Sequence, residues 1–140
     1  MPEVIFPGPE GRLEGRYHPQ KEKDAPIAIV LHPHPQFGGT MNNKVVYNLH
    51  YCFHDMGFNV LRFNFRGTGK SEGQHNNGIG EQDDVLAAQS FLTASGFQPV
   101  DLAGYSFGAW VNAHAVNQGG SVVANMAMVS PPVGFMDFQA

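Results

Sequence analysis

The sequence predicts an α/β fold built on a mostly parallel sheet, and three observations carry that expectation. Pro26 to His32, P-I-A-I-V-L-H, is a continuous β-branched and aliphatic run without alternation, the pattern of a strand buried on both faces. Stretches of helical apolar spacing alternate with further strand-like runs, giving strand, helix, strand, helix, strand, helix, strand. Glycine and proline concentrate at Pro33 to Gly39 and Gly67 to Gly80 instead of spreading evenly, which reads as a loop-rich fold and not a disordered chain.

Glu3 to Phe6 and Arg12 to Tyr17, bounded by Pro7-Gly8-Pro9 and by the polar run Pro19 to Asp24, read as a short antiparallel pair of strands. After the buried run, Val46, Leu49, Phe53 and Met56 fall at helical spacing over Asn43 to Met56. Asn42 or Asn43 can cap that helix and Gly57 can end it. Asn59 to Asn64 is a second buried-looking strand. Glu81, Asp83 and Asp84 crowd the first turn of the next helix, where acidic charge suits the helix dipole, and Val85, Ala88 and Leu92 form its inner face up to Gly96. Val100 to Ala103 is a third strand, a helix runs from about Phe107 to Val116, and Val122 to Val129 is a fourth strand. With right-handed crossovers this order makes a parallel sheet. No internal repeat or linker appears, so residues 1–140 read as one domain or part of one.

At 140 residues, 42% hydrophobic and 11% aromatic, the chain can close a single core. Its net charge is −4 with only eight basic residues, and no basic run exceeds Lys21-Glu22-Lys23, which argues against nucleic acid as a partner. The start, M-P-E-V-I-F-P, lacks a basic segment followed by an apolar core, and Ala25 to Leu31 is too short to span a bilayer. A cytoplasmic protein without a membrane partner is the expectation; the single cysteine, Cys52, agrees, because it excludes an internal disulfide framework. Oligomeric state is left open.

Gly67-Thr68-Gly69-Lys70-Ser71 ends like a phosphate loop, but the first glycine of that motif would fall at Asn64, and Ser71 is followed by more loop instead of a helix. A surface loop anchored by Arg66 is the expected role. Gly104-Tyr105-Ser106-Phe107-Gly108 is different. Lying between a buried strand and a helical run, it has the context of a sharp strand-to-helix turn that presents a serine nucleophile, with glycines where backbone contacts are closest. Acyl transfer at Ser106 needs two amides aimed at the developing oxyanion. Phe107 supplies the first. In the H-P-H-P-Q-F-G-G loop after the strand ending at His32, Pro33 and Pro35 have no N–H, so His34 supplies the second, with Gln36 behind it. His32 reads as a strand-end residue.

No metal site or cofactor is indicated. His50 and His54 are four apart on a helix, but Tyr51-Cys52-Phe53 between them is not a zinc-protease pattern, so both are expected to be surface or half-buried; Cys52 is expected to be a small core residue. In hydrolases built on this serine motif an acid and then a histidine follow the serine. After Ser106 come only His114 and Asp137, in the reverse order. His114 lies eight residues along the same helix, roughly 12 Å away, and cannot reach as a base.

Three segments, His32 to Asn43, Arg62-Phe63-Asn64-Phe65-Arg66-Gly67-x-Gly69-x-Ser71-x-Gly73 and Ala103 to Ala109, resemble the small, cap-less bacterial α/β-hydrolases near the dienelactone hydrolase and serine peptidase-like branches. The resemblance covers essentially the whole chain. It implies the three-layer α/β-hydrolase fold, Ser106 as nucleophile, Phe107 and His34 at the oxyanion hole, and a small-molecule ester or amide as substrate. Such proteins run some seventy residues further, through two strands whose loops carry the acid and the histidine. Residues 1–140 are therefore expected to be an incomplete domain without normal turnover, and Asp137 is not assigned to the triad. Val122 to Val129 would then be an open sheet edge. The alternative expectation is a non-catalytic module that keeps the fold for binding or assembly.

Overall fold

A computed structural model describes residues 2–22, 24–97, 100–119 and 123–132. The strand at the centre of its sheet, β3 (Ile27–Leu31), is buried at every position, as the unbroken apolar run predicts. It lies between β4 (Asn59–Phe63) and β5 (Val100–Tyr105), both parallel to it, with Ile29 opposite Leu61 on one side and Leu102 on the other. β1 (Glu3–Gly8) and β2 (Gly11–His18) form the expected antiparallel pair, and β2 joins the sheet against β4. β6 (Val123–Val129) runs parallel to β5, so the sheet reads β1-β2-β4-β3-β5-β6. The hairpin continues two residues further than the sequence suggests, since Pro7 pairs with Arg12 and Gly8 with Gly11. Proline is tolerated there because β1 is an edge strand, whose outward side needs no N–H.

Among the described residues three α-helices cover the sheet: α1 (Lys44–Asp55), α2 (Ile79–Ala94) and α3 (Phe107–Gly119). Side chains alternate across a strand, so β3 feeds two separate cores. Val30, with Val60 and Ala103, packs under Val46, Leu49 and Phe53 of α1. Ile27, Ile29 and Leu31 face the other way and meet Val85, Ala88 and Leu92 of α2 and Val111 and Ala115 of α3, together with Phe6, Leu13 and Phe63. Three layers result. At about 1.5–3 kcal/mol for each fully buried large apolar side chain, the α2–α3 side, which holds most of them, carries more of the stability.

Asn43 caps α1, its side-chain oxygen accepting from the amides of Val45 and Val46, and Gly57 ends it at φ 100°. Two expectations on this helix are corrected. His50 is wholly buried, since it points inward beside Val46 and accepts at Nδ1 a hydrogen bond from Arg62. Cys52 is exposed, because the apolar stripe that buries Val46 and Phe53 leaves it on the outer face. At the far end of the sheet Met126 and Met128 of β6 are 37% and 43% exposed. Among the described residues β6 pairs with β5 alone, the open edge expected of this segment.

Candidate active site

Ser106 sits between β5 and α3 with φ 57°, one of three described non-glycine residues in the left-handed region. That conformation costs about 1–3 kcal/mol for a residue with a side chain, so the surroundings must impose it. They do. A Cβ on Gly104 would lie 2.5 Å from the carbonyl carbon of Gly108, and one on Gly108 would lie 2.7–2.8 Å from the carbonyl oxygens of Leu31 and His32. The two glycines thus allow α3 to start flush against β3 and β5, forcing the chain to turn within one residue. The Ser106 amide donates to Val129 of β6 at 2.9 Å, and its carbonyl accepts from Ala109. The serine is half-buried at the strand's carboxyl end, and Phe107, as first residue of α3, has no intrahelical acceptor for its N–H.

The loop after β3 is equally constrained. Pro35–Phe37 form one 3₁₀ turn closed by Gly38 at φ 81°, and a Cβ on Gly39 would lie 2.1 Å from the carbonyl oxygen of Pro33. His34 opens the turn, accepting at Nδ1 from the Gln36 amide at 3.1 Å. Gln36 is therefore engaged, whereas the His34 N–H makes no hydrogen bond among the described residues. Burial lowers the pKa of His34, with His75 adding to the effect and Glu81 opposing it, which agrees with a neutral ring whose Nδ1 lone pair is in use. The rings of His34 and Phe107 are 4.7 Å apart, so the fold brings together two segments that are distant in sequence.

The supports of these loops are polar and buried. His32 is fully buried; Nδ1–H donates to the Pro33 carbonyl at 2.7 Å, while Nε2 accepts from the Phe65 amide at 3.0 Å. It therefore does more than end a strand: it ties the exit of β3 to that of β4. Arg66 reaches from the loop after β4 to α2, donating from its backbone and guanidinium to Asp84 and from Nη2 to the Gly80 carbonyl. The anchoring role expected of Arg66 is thus a buried ion pair, with side chains 5% and 0% exposed.

The glycine-rich loop is less of a surface feature than expected, since Thr68 and Ser71 are buried. Its amides bind protein instead of phosphate. Gly67 donates to Glu72, Thr68 to Phe65, Ser71 to Thr68 and Lys70 to the Glu14 carboxylate, so an anion would meet occupied donors and an acid. Other candidates separate from the serine. His114 packs on Trp110 further along α3, at 4.4 Å between rings. His50 stacks with His18, which stacks with His54, against α1; among the described residues no three His, Cys, Asp or Glu side chains are placed to hold a metal. Asp137 lies outside the described residues.

Two residues at the site escape sequence reasoning. His75 packs against both His34 and Phe107, and Glu81, read in the sequence only as helix-dipole charge, is fully buried and accepts from the amides of Gly78 and Asn76. The spacing of Gly78 and Glu81, a helix start followed three residues later by Glu, is the one signal that could have pointed to this inward capping contact.

Buried neutral histidines make the fold acid-sensitive. Burial lowers His32 to about 4, and burial together with the Arg62 charge lowers His50 to about 3. The unfolded chain takes up these protons near pH 6.5 and the folded chain cannot, so stability is complete above pH 6.5 and falls toward pH 4 and below. Urea titrations at pH 7.5 and 4.5 should differ by about 2 kcal/mol for each of the two histidines. A stability unchanged over that interval would contradict the buried neutral assignment.

A serine on a strained strand-to-helix turn, beside a proline-braced loop at the carboxyl ends of the parallel strands of a three-layer fold, defines a hydrolase-type α/β architecture. The comparisons agree. The sequence profile of the family described as alpha/beta hydrolase fold matches residues 29–140, and the chain belongs to that family. It is 47% identical over 135 residues to the uncharacterised protein RP471 of Rickettsia prowazekii (strain Madrid E), covering 95% of this chain and 56% of that one. Of solved structures, ATU1826 of Agrobacterium tumefaciens, a protein of unknown function, shares 48% identity at a TM-score of 0.92, covering 99% of this chain and 64% of that one. XC6422 of Xanthomonas campestris, described as an α/β serine hydrolase without lid, shares 35% identity at 0.88, covering 99% and 64%. The chain thus spans less than two thirds of each of these relatives. No described helix is long and apolar enough to cross a membrane.

Proposed function

We propose that this chain carries the nucleophile of a serine hydrolase acting on a carboxylic ester, or on an amide or lactone, through an acyl-serine intermediate. The observation that carries the reading is the left-handed backbone of Ser106, locked by Gly104 and Gly108 at the end of a parallel strand. Strain of this kind at a polar residue serves presentation: it lifts the hydroxyl out of the sheet toward a reactant. Ser106 Oγ attacks the carbonyl carbon and its proton passes to a base; the carbonyl oxygen, now negative, takes hydrogen bonds from the amides of Phe107 and His34. Collapse expels the alcohol or amine, which takes up the proton. Water then releases the acid from Ser106.

The base and the acid behind it are assigned to residues outside 1–140. His18 stacks on both His50 and His54 of α1. Both nitrogens of His32 are bonded within the loops. The nitrogens of His75 are shielded from solvent, with Nδ1 turned to the buried carboxylate of Glu81, and His114 is two turns down α3. The greater length of the relatives supports this assignment. A small-molecule substrate, with no nucleic acid partner, fits the negative net charge.

The full-length gene product, mixed with a p-nitrophenyl ester and quenched in acid, should carry the acyl group on the peptide containing Ser106. Turnover of esters with the acyl group trapped on another residue, or no turnover of esters, thioesters, amides or lactones, would overturn the proposal.

A further inference from the structure

We infer that His75, held from behind by Glu81, is a positioning residue that sets the separation of the two amides proposed to bind the oxyanion; the inference rests on the hydrolase reading above. The rings of His34, Phe107 and His75 form a closed triangle, with centroid separations of 4.7 Å, 4.8 Å and 5.7 Å. Two corners are the side chains of the residues whose N–H groups are proposed to bind the oxyanion. The third, His75, belongs to neither segment.

What fixes His75 is the helix behind it. Its Nδ1 lies 2.9 Å from Glu81 Oε2, a close polar contact that lacks the alignment of a hydrogen bond. Glu81 cannot swing away. It is wholly buried at the third position of α2 and accepts from the Gly78 amide at 3.1 Å and the Asn76 amide at 2.9 Å, on either side of Asn77, which itself has φ 54°. The start of α2 is pinned in turn by the Arg66 bond to the Gly80 carbonyl at 2.6 Å and by the Arg66–Asp84 pair. A continuous path of contacts therefore runs from the α2 start through Glu81 and His75 to the rings of His34 and Phe107.

The role is positional and not chemical. Both His75 nitrogens are out of contact with solvent, so neither is placed to exchange a proton with a substrate, and the ring acts through the two residues it packs on. Oxyanion donors must sit within a few tenths of an ångström of the transition-state oxygen to be effective. A packed ring wedged against both donors holds that spacing, and its removal leaves a void into which the His34 loop can relax.

The test uses the full-length gene product and pairs of oxygen esters and the matching thionoesters, in which sulfur replaces the carbonyl oxygen and weakens hydrogen bonding in the oxyanion site. His75→Ala should lower kcat for the oxygen ester at least tenfold with KM within about twofold, and should compress the oxygen-to-sulfur rate ratio by a similar factor. His75→Phe, which keeps a ring against His34 and Phe107 but loses the polar contact to Glu81, should fold and recover part of both; it carries the test if the alanine variant does not fold. A native rate ratio in folded His75→Ala, or in His75→Phe with an unchanged kcat and no intermediate effect when Glu81→Gln is added, would overturn the inference alone. Absence of a Ser106 acyl adduct in the native protein would instead remove the hydrolase reading, and this inference with it.

Discussion

Replacing Ser106 by alanine should lower kcat by about 10⁵- to 10⁶-fold in the full-length product while leaving substrate binding within a few fold, because the hydroxyl forms a bond only in the reaction and not in the ground-state complex. Folding should survive. Ser106 contributes backbone bonds to Val129 and Ala109 that alanine keeps, and it lies half-buried where a lost hydroxyl leaves little void. Alanine bears the same left-handed φ, so the turn's strain is unchanged. A variant that loses activity but not stability separates chemistry from architecture; kcat and KM on a chromogenic ester, with urea unfolding in parallel, read both.

The largest stability effect is expected at Asp84. Its carboxylate is wholly buried and takes the backbone amide, Nε and Nη2 of Arg66, whose side chain is only 5% exposed. Asp84→Ala leaves a guanidinium in the interior bonded to the Gly80 carbonyl, with only the charges of Glu81 and of the largely exposed Glu10, 3.6 Å away, to oppose its own. Such a stranded charge costs about 3–5 kcal/mol, a large part of the roughly 5–15 kcal/mol that holds a domain together. Removing both charges, as in Arg66→Met with Asp84→Leu, should cost far less than the single change, because the penalty belongs to the unpaired charge and not to the pair. Equal urea midpoints for Asp84→Ala and the native protein would show that Arg66 finds solvent, contrary to the buried pair described above.

The fold was legible because its signals are local. An unbroken apolar run, Ile27 to Leu31, has one good solution, a central strand; Val46, Leu49 and Phe53 have another, a helix face laid on it. The turn at Ser106 was legible for the same reason, since Gly104 and Gly108 report a backbone constraint two residues either way. Contacts set by the third dimension were not. Nothing near His50 in sequence announces Arg62, and Cys52 differs from a core cysteine only by its angle around α1. His75 reaches the site by packing against His34 and Phe107, and Glu81 by its contact with His75; these residues come from separate loops and helix starts, and no periodicity encodes such a meeting. The glycine-rich loop shows the converse. Its letters suggest anion binding, and only the bonds from Lys70 and Ser71 reveal that its donors are spent inside the protein.

Ser106 as a presented nucleophile is tested most directly by a fluorophosphonate, because labelling needs the serine, its oxyanion donors and the base that activates it, but no particular substrate. Incubation of the full-length product should add one phosphonyl group, mapped by mass spectrometry to Ser106 and absent from Ser106→Ala. A folded native protein that stays unlabelled, or that is labelled equally in the alanine variant, would contradict the account.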